Sequence, residues 1–149
     1  MPSAPSRSCS ARILIVDDHK LGLAARRAVL EEIGHSVETC MSGQEALDLC
    51  AQKSFDIVIT DFRMPKMNGV ELIKELRKSH QALSIIMISG YSDTLGLSEA
   101  TTGADAVLQK NAQEVPHLIR AVARLARKQP PKKSPQSQTG AARAKRKRA

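Results

Sequence analysis

Four short apolar runs in this chain each close on a polar residue suited to phosphate chemistry. They are Ile13-Leu14-Ile15-Val16 before Asp17-Asp18, Ile57-Val58-Ile59-Thr60 before Asp61, Ile85-Ile86-Met87-Ile88 before Ser89, and Val107-Leu108-Gln109 before Lys110. Continuous aliphatic runs of this length are the pattern of parallel strands buried on both faces. In open α/β sheets, ligands bind outside the carboxyl ends of such strands. Three carboxylates, a hydroxyl and an ammonium are therefore expected to meet in one crevice.

The segments between these runs read as helices. Lys20–Ile33 follows the first strand, with Leu21, Ala24, Ala25, Ala28, Val29 and Ile33 near helical spacing and Gly34 as a stop. Ser36–Cys40 is a short, half-polar strand. Ser42 caps a helix through about Gln52, with Glu45 in the capping-box position. The third strand is read as Phe55–Thr60. Asn68-Gly69 opens a helix carried by Val70, Leu72, Ile73 and Leu76, and Ser84–Ile88 is the fourth strand. A weaker helix is expected over residues 92–102, where Gly96 and Thr101-Thr102 interrupt the pattern. Asp105–Gln109 is the fifth strand. Val115–Arg127 is an amphipathic helix with Leu118, Ile119, Val122, Leu125 and Ala126 on one face.

Strands alternating with helices imply a parallel sheet covered by helices on both faces. Right-handed crossovers leave few topologies. The five-stranded order 2-1-3-4-5 places its switch point between the first and third strands, where Asp17, Asp18 and Asp61 would stand together.

Composition narrows the chemistry. The chain has 149 residues, one domain's worth, with no Trp and only Phe55, Phe62 and Tyr91 as aromatics, so its core must be aliphatic. No apolar stretch is long enough for a membrane helix, and residues 1–11 lack the apolar segment of a signal peptide. Those residues are expected to form a disordered leader. Cys9, Cys40 and Cys50 are odd in number and without metal-ligand spacing, which suits reduced thiols, with Cys40 and Cys50 packing as small apolar residues. The net charge is +8, and the eight basic residues from Lys128 onward account for all of it, leaving residues 1–127 balanced. Residues 129–149, rich in Pro, Lys, Ser, Gln and Ala, have little to bury and read as a disordered basic tail. Such a tail is compatible with a solvated extension and with sequence-blind, salt-sensitive binding to nucleic acid.

Three carboxylates in one crevice repel and call for a cation. Mg²⁺ suits them, because it binds through one or two carboxylates plus phosphate oxygens and keeps several waters. With Asp18 and one oxygen of Asp61 on the metal, the other oxygen of Asp61 is free to attack phosphorus. Lys110 is a point charge for a phosphate oxygen and Ser89 a short hydroxyl donor. His19 beside the Asp pair is read as a solvated loop residue, since a hard cation prefers oxygen. Met64 and Met67 are read as loop packing. An aspartate-nucleophile phosphatase would need Asp-x-Asp on the first strand, which Asp17-Asp18-His19 does not supply.

The set Asp17-Asp18, Asp61-Phe62-Arg63-Met64-Pro65-Lys66-Met67-Asn68-Gly69, Ser89-Gly90 and Lys110 resembles the receiver domain of bacterial two-component response regulators. The resemblance covers about residues 12–128 and implies a flavodoxin-like doubly wound fold of the stand-alone type. It implies Asp61 as phosphoacceptor, with Asp18 a direct Mg²⁺ ligand, Asp17 positioning the ion through water, and the Arg63 backbone carbonyl completing the site. Ser89 and Lys110 would bind the phosphoryl oxygens. The implied donor is a phosphohistidine on a histidine kinase or phosphotransfer protein. The implied catalysis is limited to the receiver's own phosphorylation and dephosphorylation, and output is by contact with another protein in a bacterial cytoplasm. Two positions depart from the family pattern: Val107 replaces an inward-turning aromatic, and Asn111 replaces the proline after the lysine. Arg63 and Tyr91 occupy the positions that tune phosphate lifetime. A competing expectation keeps the fold but makes the chain a nucleic-acid-associated protein dominated by its tail.

Overall fold

The structure, a computed structural model, describes residues 10–90 and 96–128. Tyr91, Cys9, most of the leader and the 129–149 tail lie outside the described residues. Five strands, β1 (Arg12–Val16), β2 (Ser36–Cys40), β3 (Ile57–Asp61), β4 (Ser84–Ser89) and β5 (Ala106–Gln109), form one parallel sheet in the order β2-β1-β3-β4-β5. The helices are α1 (Lys20–Glu32), α2 (Gly43–Gln52), α3 (Gly69–Ser79), the single turn α4 (Glu99–Thr102) and α5 (Glu114–Lys128). The doubly wound fold expected from the alternating runs is the one observed. Among the described residues, no helix is long and apolar enough to cross a membrane.

Strand residues alternate between two aliphatic layers, as the period of two requires. Ile13, Ile15, Ile57, Ile59, Ile86 and Ile88 pack with Leu23 and Leu30 of α1 and Leu118, Val122 and Leu125 of α5. Leu14, Val16, Val58, Ile85 and Met87 face α2 and α3, against Ala46, Cys50, Leu72, Ile73 and Leu76. Cys40 and Cys50 are buried in this second layer, and burial pushes their thiols up to about 12 and about 11.

Helix starts follow capping chemistry. The Asn68 side chain accepts from the Glu71 amide while Glu71 accepts from the Asn68 amide, each at 2.9 Å. Ser42 caps α2 through the Glu45 amide, but the Glu45 carboxylate reaches one residue further back, to the Met41 amide at 2.8 Å.

Two helical expectations need correction. In α1 the buried residues are Leu23, Arg26 and Leu30, whereas Leu21 is 85% exposed and Ala24, Ala25, Ala28 and Ile33 are also exposed. The inward stripe runs one or two positions off the one expected, because Arg26 is drawn inward by carboxylates. The helix expected over 92–102 is, among its described residues, confined to Glu99–Thr102. Gly96 has φ +67°, which cannot continue a right-handed helix, and Ser98 then caps a fresh turn by accepting from the Thr101 amide.

Arg77 of α3 ties this region to the sheet. Its guanidinium donates to the carbonyls of Leu83, Gln81 and Gly103 and meets Asp105 at 3.0 Å. Asp105 in turn accepts from the Ile85 amide at 2.8 Å. Arg77→Ala leaves several carbonyls dependent on water, and a loss of about 2 kcal/mol is expected in urea denaturation.

Candidate functional site

The odd-parity positions of β1 and β3 carry the site. Asp17 continues the alternation of Ile13 and Ile15, and Asp61 that of Ile57 and Ile59. Both carboxylates therefore stand at the carboxyl edge of adjacent strands, and both are 2% exposed.

Asp17 is fully engaged. Its amide donates to the Cys40 carbonyl at 3.2 Å. Its Oδ1 accepts from the His19 amide at 3.0 Å, and its Oδ2 accepts from Arg26 Nη1 at 2.7 Å. Asp18 is partly exposed, with the His19 ring Nδ1 3.3 Å from its Oδ1. His19 itself is 74% exposed at the side chain, as a solvated loop residue would be. The Oδ1 of Asp18 has no hydrogen-bond partner among the described residues.

Asp61 is the least satisfied polar group of the site. Lys110 Nζ lies 2.5 Å from its Oδ1 in an ion pair, and its Oδ2 has no hydrogen-bond partner among the described residues. Burial raises the carboxyl above its ordinary value, Lys110 pulls it back, and the negative charge of Asp17 adds to the rise. Unpaired oxygens on buried carboxylates are costly unless something else satisfies them. The oxygens of Asp61 and Asp18 are of the hard, anionic type that a divalent cation takes, so the residues present fit such an ion.

Asp17, Asp18 and His19 bring one ligand atom each within 4.8 Å of one another. Asp61 lies outside that group, paired with Lys110, yet near enough for the charge of Asp17 to act on it. Ser89 is 1% exposed at the end of β4, one residue beyond the Ile88 that pairs with Asp61. Its carbonyl accepts from the Lys110 amide at 3.2 Å, which fixes the lysine beside the site. Arg63 is exposed and lines a cavity of about 440 Å³ with Asp18, His19, Phe62, Met64, Pro65 and Asn68. Met64 is buried and Met67 packs on Gly43, the loop-packing roles expected of them.

Val107 lies in β5, packed against the second aliphatic layer. Among the described residues the peptide bonds are all trans, the one before Asn111 included, and the Asn111 side chain accepts from the Gln113 amide at 2.8 Å.

Sequence reasoning missed Arg26 and Glu114. Arg26 Nε lies 2.7 Å from Glu114 Oε2, so one buried guanidinium bridges the β1 carboxylate and the first turn of α5. Burial works against the charged guanidinium, but its bonds to Glu114 and Asp17 prevail and raise its pKa. The available signal was Arg26 sitting three residues after Leu23 and four before Leu30, in line with two buried leucines.

The response regulator receiver domain family matches residues 13–123, and the chain belongs to that family. Receivers of this family serve phosphorylation-dependent two-component signalling and work with histidine kinases and output domains. Among curated relatives, the gliding motility regulatory protein of Myxococcus xanthus is 32% identical over 117 residues, 76% of this chain and 15% of that protein. Response regulator MprA of Mycolicibacterium vanbaalenii is 37% identical over 95 residues, 64% of this chain and 40% of that protein. The virulence sensor protein BvgS of Bordetella bronchiseptica is 43% identical over 81 residues, 54% of this chain but 6% of that protein. The chain thus spans well under half the length of these relatives. Among solved structures, response regulator protein TrrA of Thermotoga maritima, in complex with Mg(2+)-BeF, aligns with TM-score 0.70 and 31% identity over 76% of this chain and 97% of that one. Chemotaxis response regulator CheY4 of Vibrio cholerae aligns with TM-score 0.70 and 28% identity over 78% and 98%.

Proposed function

We propose that Asp61 accepts a phosphoryl group from a phosphohistidine on a histidine kinase or phosphotransfer protein, and that the phosphorylated chain signals by contact with another protein. The observation that supports this most is the state of Asp61: a buried carboxylate with a lysine ammonium 2.5 Å from its Oδ1 and, among the described residues, no hydrogen-bond partner for its Oδ2. A structural carboxylate at this depth would be satisfied; a nucleophile must keep an oxygen free.

In this reading an oxygen of Asp61 attacks phosphorus. The new O–P bond forms as the N–P bond of the donor breaks, and the donor imidazole departs with the electron pair. The Lys110 ammonium exchanges its hold on Asp61 for a phosphoryl oxygen, and the Ser89 hydroxyl donates to another. Asp17, Asp18, Asp61 and the Arg63 carbonyl are the groups that would hold Mg²⁺. When bound, the ion neutralises the carboxylates and the incoming phosphoryl oxygens. The remaining work is positioning and charge stabilisation, which rigid strand ends supply. We assign the receiver unit to residues 12–128, with residues outside it as leader and tail.

The test is incubation with acetyl phosphate and Mg²⁺, followed by intact-mass measurement. One added phosphoryl group, lost on hydroxylamine treatment and absent when EDTA replaces Mg²⁺, is the expected result. Labelling that persists in Asp61→Ala, or that ignores EDTA, would overturn the assignment.

A further inference from the structure

Arg26 is a buried cation beside the acidic pocket for which the proposed phosphotransfer has no use. Its side chain is 9% exposed and its two contacts run to carboxylates on different elements, Asp17 Oδ2 through Nη1 and Glu114 Oε2 through Nε, both at 2.7 Å. The helix is shaped around the bridge. A Cβ added at Gly22 would stand 3.0 Å from Asp17 Oδ2 and 3.6 Å from Arg26 Nη1, so glycine in the first half of α1 leaves room for the pair to close. Glycine inside a helix costs up to about 1 kcal/mol relative to alanine, a cost consistent with a packing reason for its presence.

A carboxylate as buried as Asp17 requires positive charge beside it. Without a metal, Arg26 supplies that charge. A divalent cation entering the pocket meets only the negative charge on Asp17 that Arg26 leaves unscreened. Because separate nitrogens hold the two carboxylates, Arg26 can loosen from Asp17 without losing Glu114.

We propose that Arg26 is a resident counter-cation that competes with the divalent cation for Asp17, and that through Glu114 it links occupancy of the pocket to the first turn of α5. This rests on the reading of Asp17 as part of a metal site. Linkage is reciprocal: by whatever factor Arg26 weakens cation binding, the cation weakens the hold of Arg26 on Asp17. The consequence is a path from the strand ends to α5 that runs through α1 and does not involve β5.

The test is Mg²⁺ titration by calorimetry on the full chain, in wild type, Arg26→Met, Glu114→Gln and the double variant. Arg26→Met removes the competing charge and should tighten Mg²⁺ binding about tenfold, the scale of a typical coupling. Glu114→Gln removes the rival for Arg26, commits it to Asp17, and should weaken Mg²⁺ binding about threefold. In the Arg26→Met background Glu114→Gln should change nothing, since its effect passes through Arg26. In wild type, Mg²⁺ should slow amide exchange at Leu118 and Ile119, because Arg26 released from Asp17 is committed to Glu114, and this response should vanish in Arg26→Met.

Weaker Mg²⁺ binding in both single variants means that Arg26 merely builds the pocket, and overturns the proposal. Additive effects in the double variant overturn the path through Arg26. If Arg26→Met does not fold, Glu114→Gln still decides: unchanged or tighter Mg²⁺ binding, or an unaltered exchange response at Leu118, overturns the proposal. A wild-type chain that fails to bind Mg²⁺ at all overturns the metal reading itself, an outcome distinct from the others.

Discussion

Asp61→Asn is expected to abolish phosphoryl uptake from acetyl phosphate while making the metal-free fold more stable at neutral pH. The first effect follows from losing the nucleophilic oxygen anion. The second follows from the cost of the charge. Burial, and to a lesser degree Asp17, hold the Asp61 carboxyl above its unfolded value despite Lys110. The native state therefore binds a proton more readily than the unfolded chain. Its contribution to stability is greatest below the unfolded pKa and is lost as pH rises through the folded one. Above the folded pKa the wild type carries the penalty of the buried charge, and the neutral amide removes it. A gain of about 1 kcal/mol is expected, the scale of an ordinary single substitution. Lys110, whose side chain is 34% exposed, can turn to solvent when its partner goes. Melting followed from pH 3 to 8 checks both signs: the Asn variant should gain on wild type as pH rises. A variant less stable than wild type at pH 7 would mean that the Lys110 pair outweighs burial.

The second large effect is expected at Gly69. A Cβ there would lie 2.7 Å from the Asp61 carbonyl oxygen and 3.1 Å from both Phe62 Cα and Met87 Sδ. The thioether can yield; the backbone of Asp61 cannot, being paired within β3 and followed by the Gly69 amide's bond to the Phe62 carbonyl at 2.9 Å. Gly69→Val should cost about 3 kcal/mol, the upper range for overpacking. Because the strain falls on Asp61, phosphoryl uptake should drop even at temperatures where the variant remains folded. Gly90→Ala is the control, since among the described residues nothing lies within 4 Å of a Cβ at Gly90 and its φ is ordinary. It should stay within about 0.5 kcal/mol of wild type. Equal costs at the two glycines would contradict the close-approach argument.

The strands and their order were legible because both faces of the sheet are buried. The aliphatic runs at 13–16, 57–59 and 85–88 leave little alternative, and each strand end is marked by a polar residue. The capped starts of α2 and α3 were equally plain, since Ser42 and Asn68 act through neighbours three residues on. The inward face of α1 was not. An apolar-face reading assumes that arginine points to water, and at position 26 two carboxylates, Asp17 and Glu114, reverse that preference. Glu114 is 88 residues from Arg26, so no local pattern could couple them. Gly96 stood out in the sequence as an interruption of the helix before β5, but periodicity did not show that its backbone would turn left-handed and confine the described helix to Glu99–Thr102. At the site, the two Asp on β1 and the Asp–Lys pair were anticipated as one cluster. In the structure each of the two buried carboxylates has its own cation, Arg26 on Asp17 and Lys110 on Asp61.

The alternation that brings Asp17 and Asp61 to one side of the sheet makes chain length as decisive as residue identity. Deleting or inserting one residue within β1 or β3 would swing the carboxylate beyond it toward α2 and α3, and exchange the two aliphatic layers of that strand. Such a change, though it alters no acidic residue, would silence the site. Insertions are better tolerated between elements, at residues such as Ser54 and Ala82 that are exposed and carry no strand phase forward.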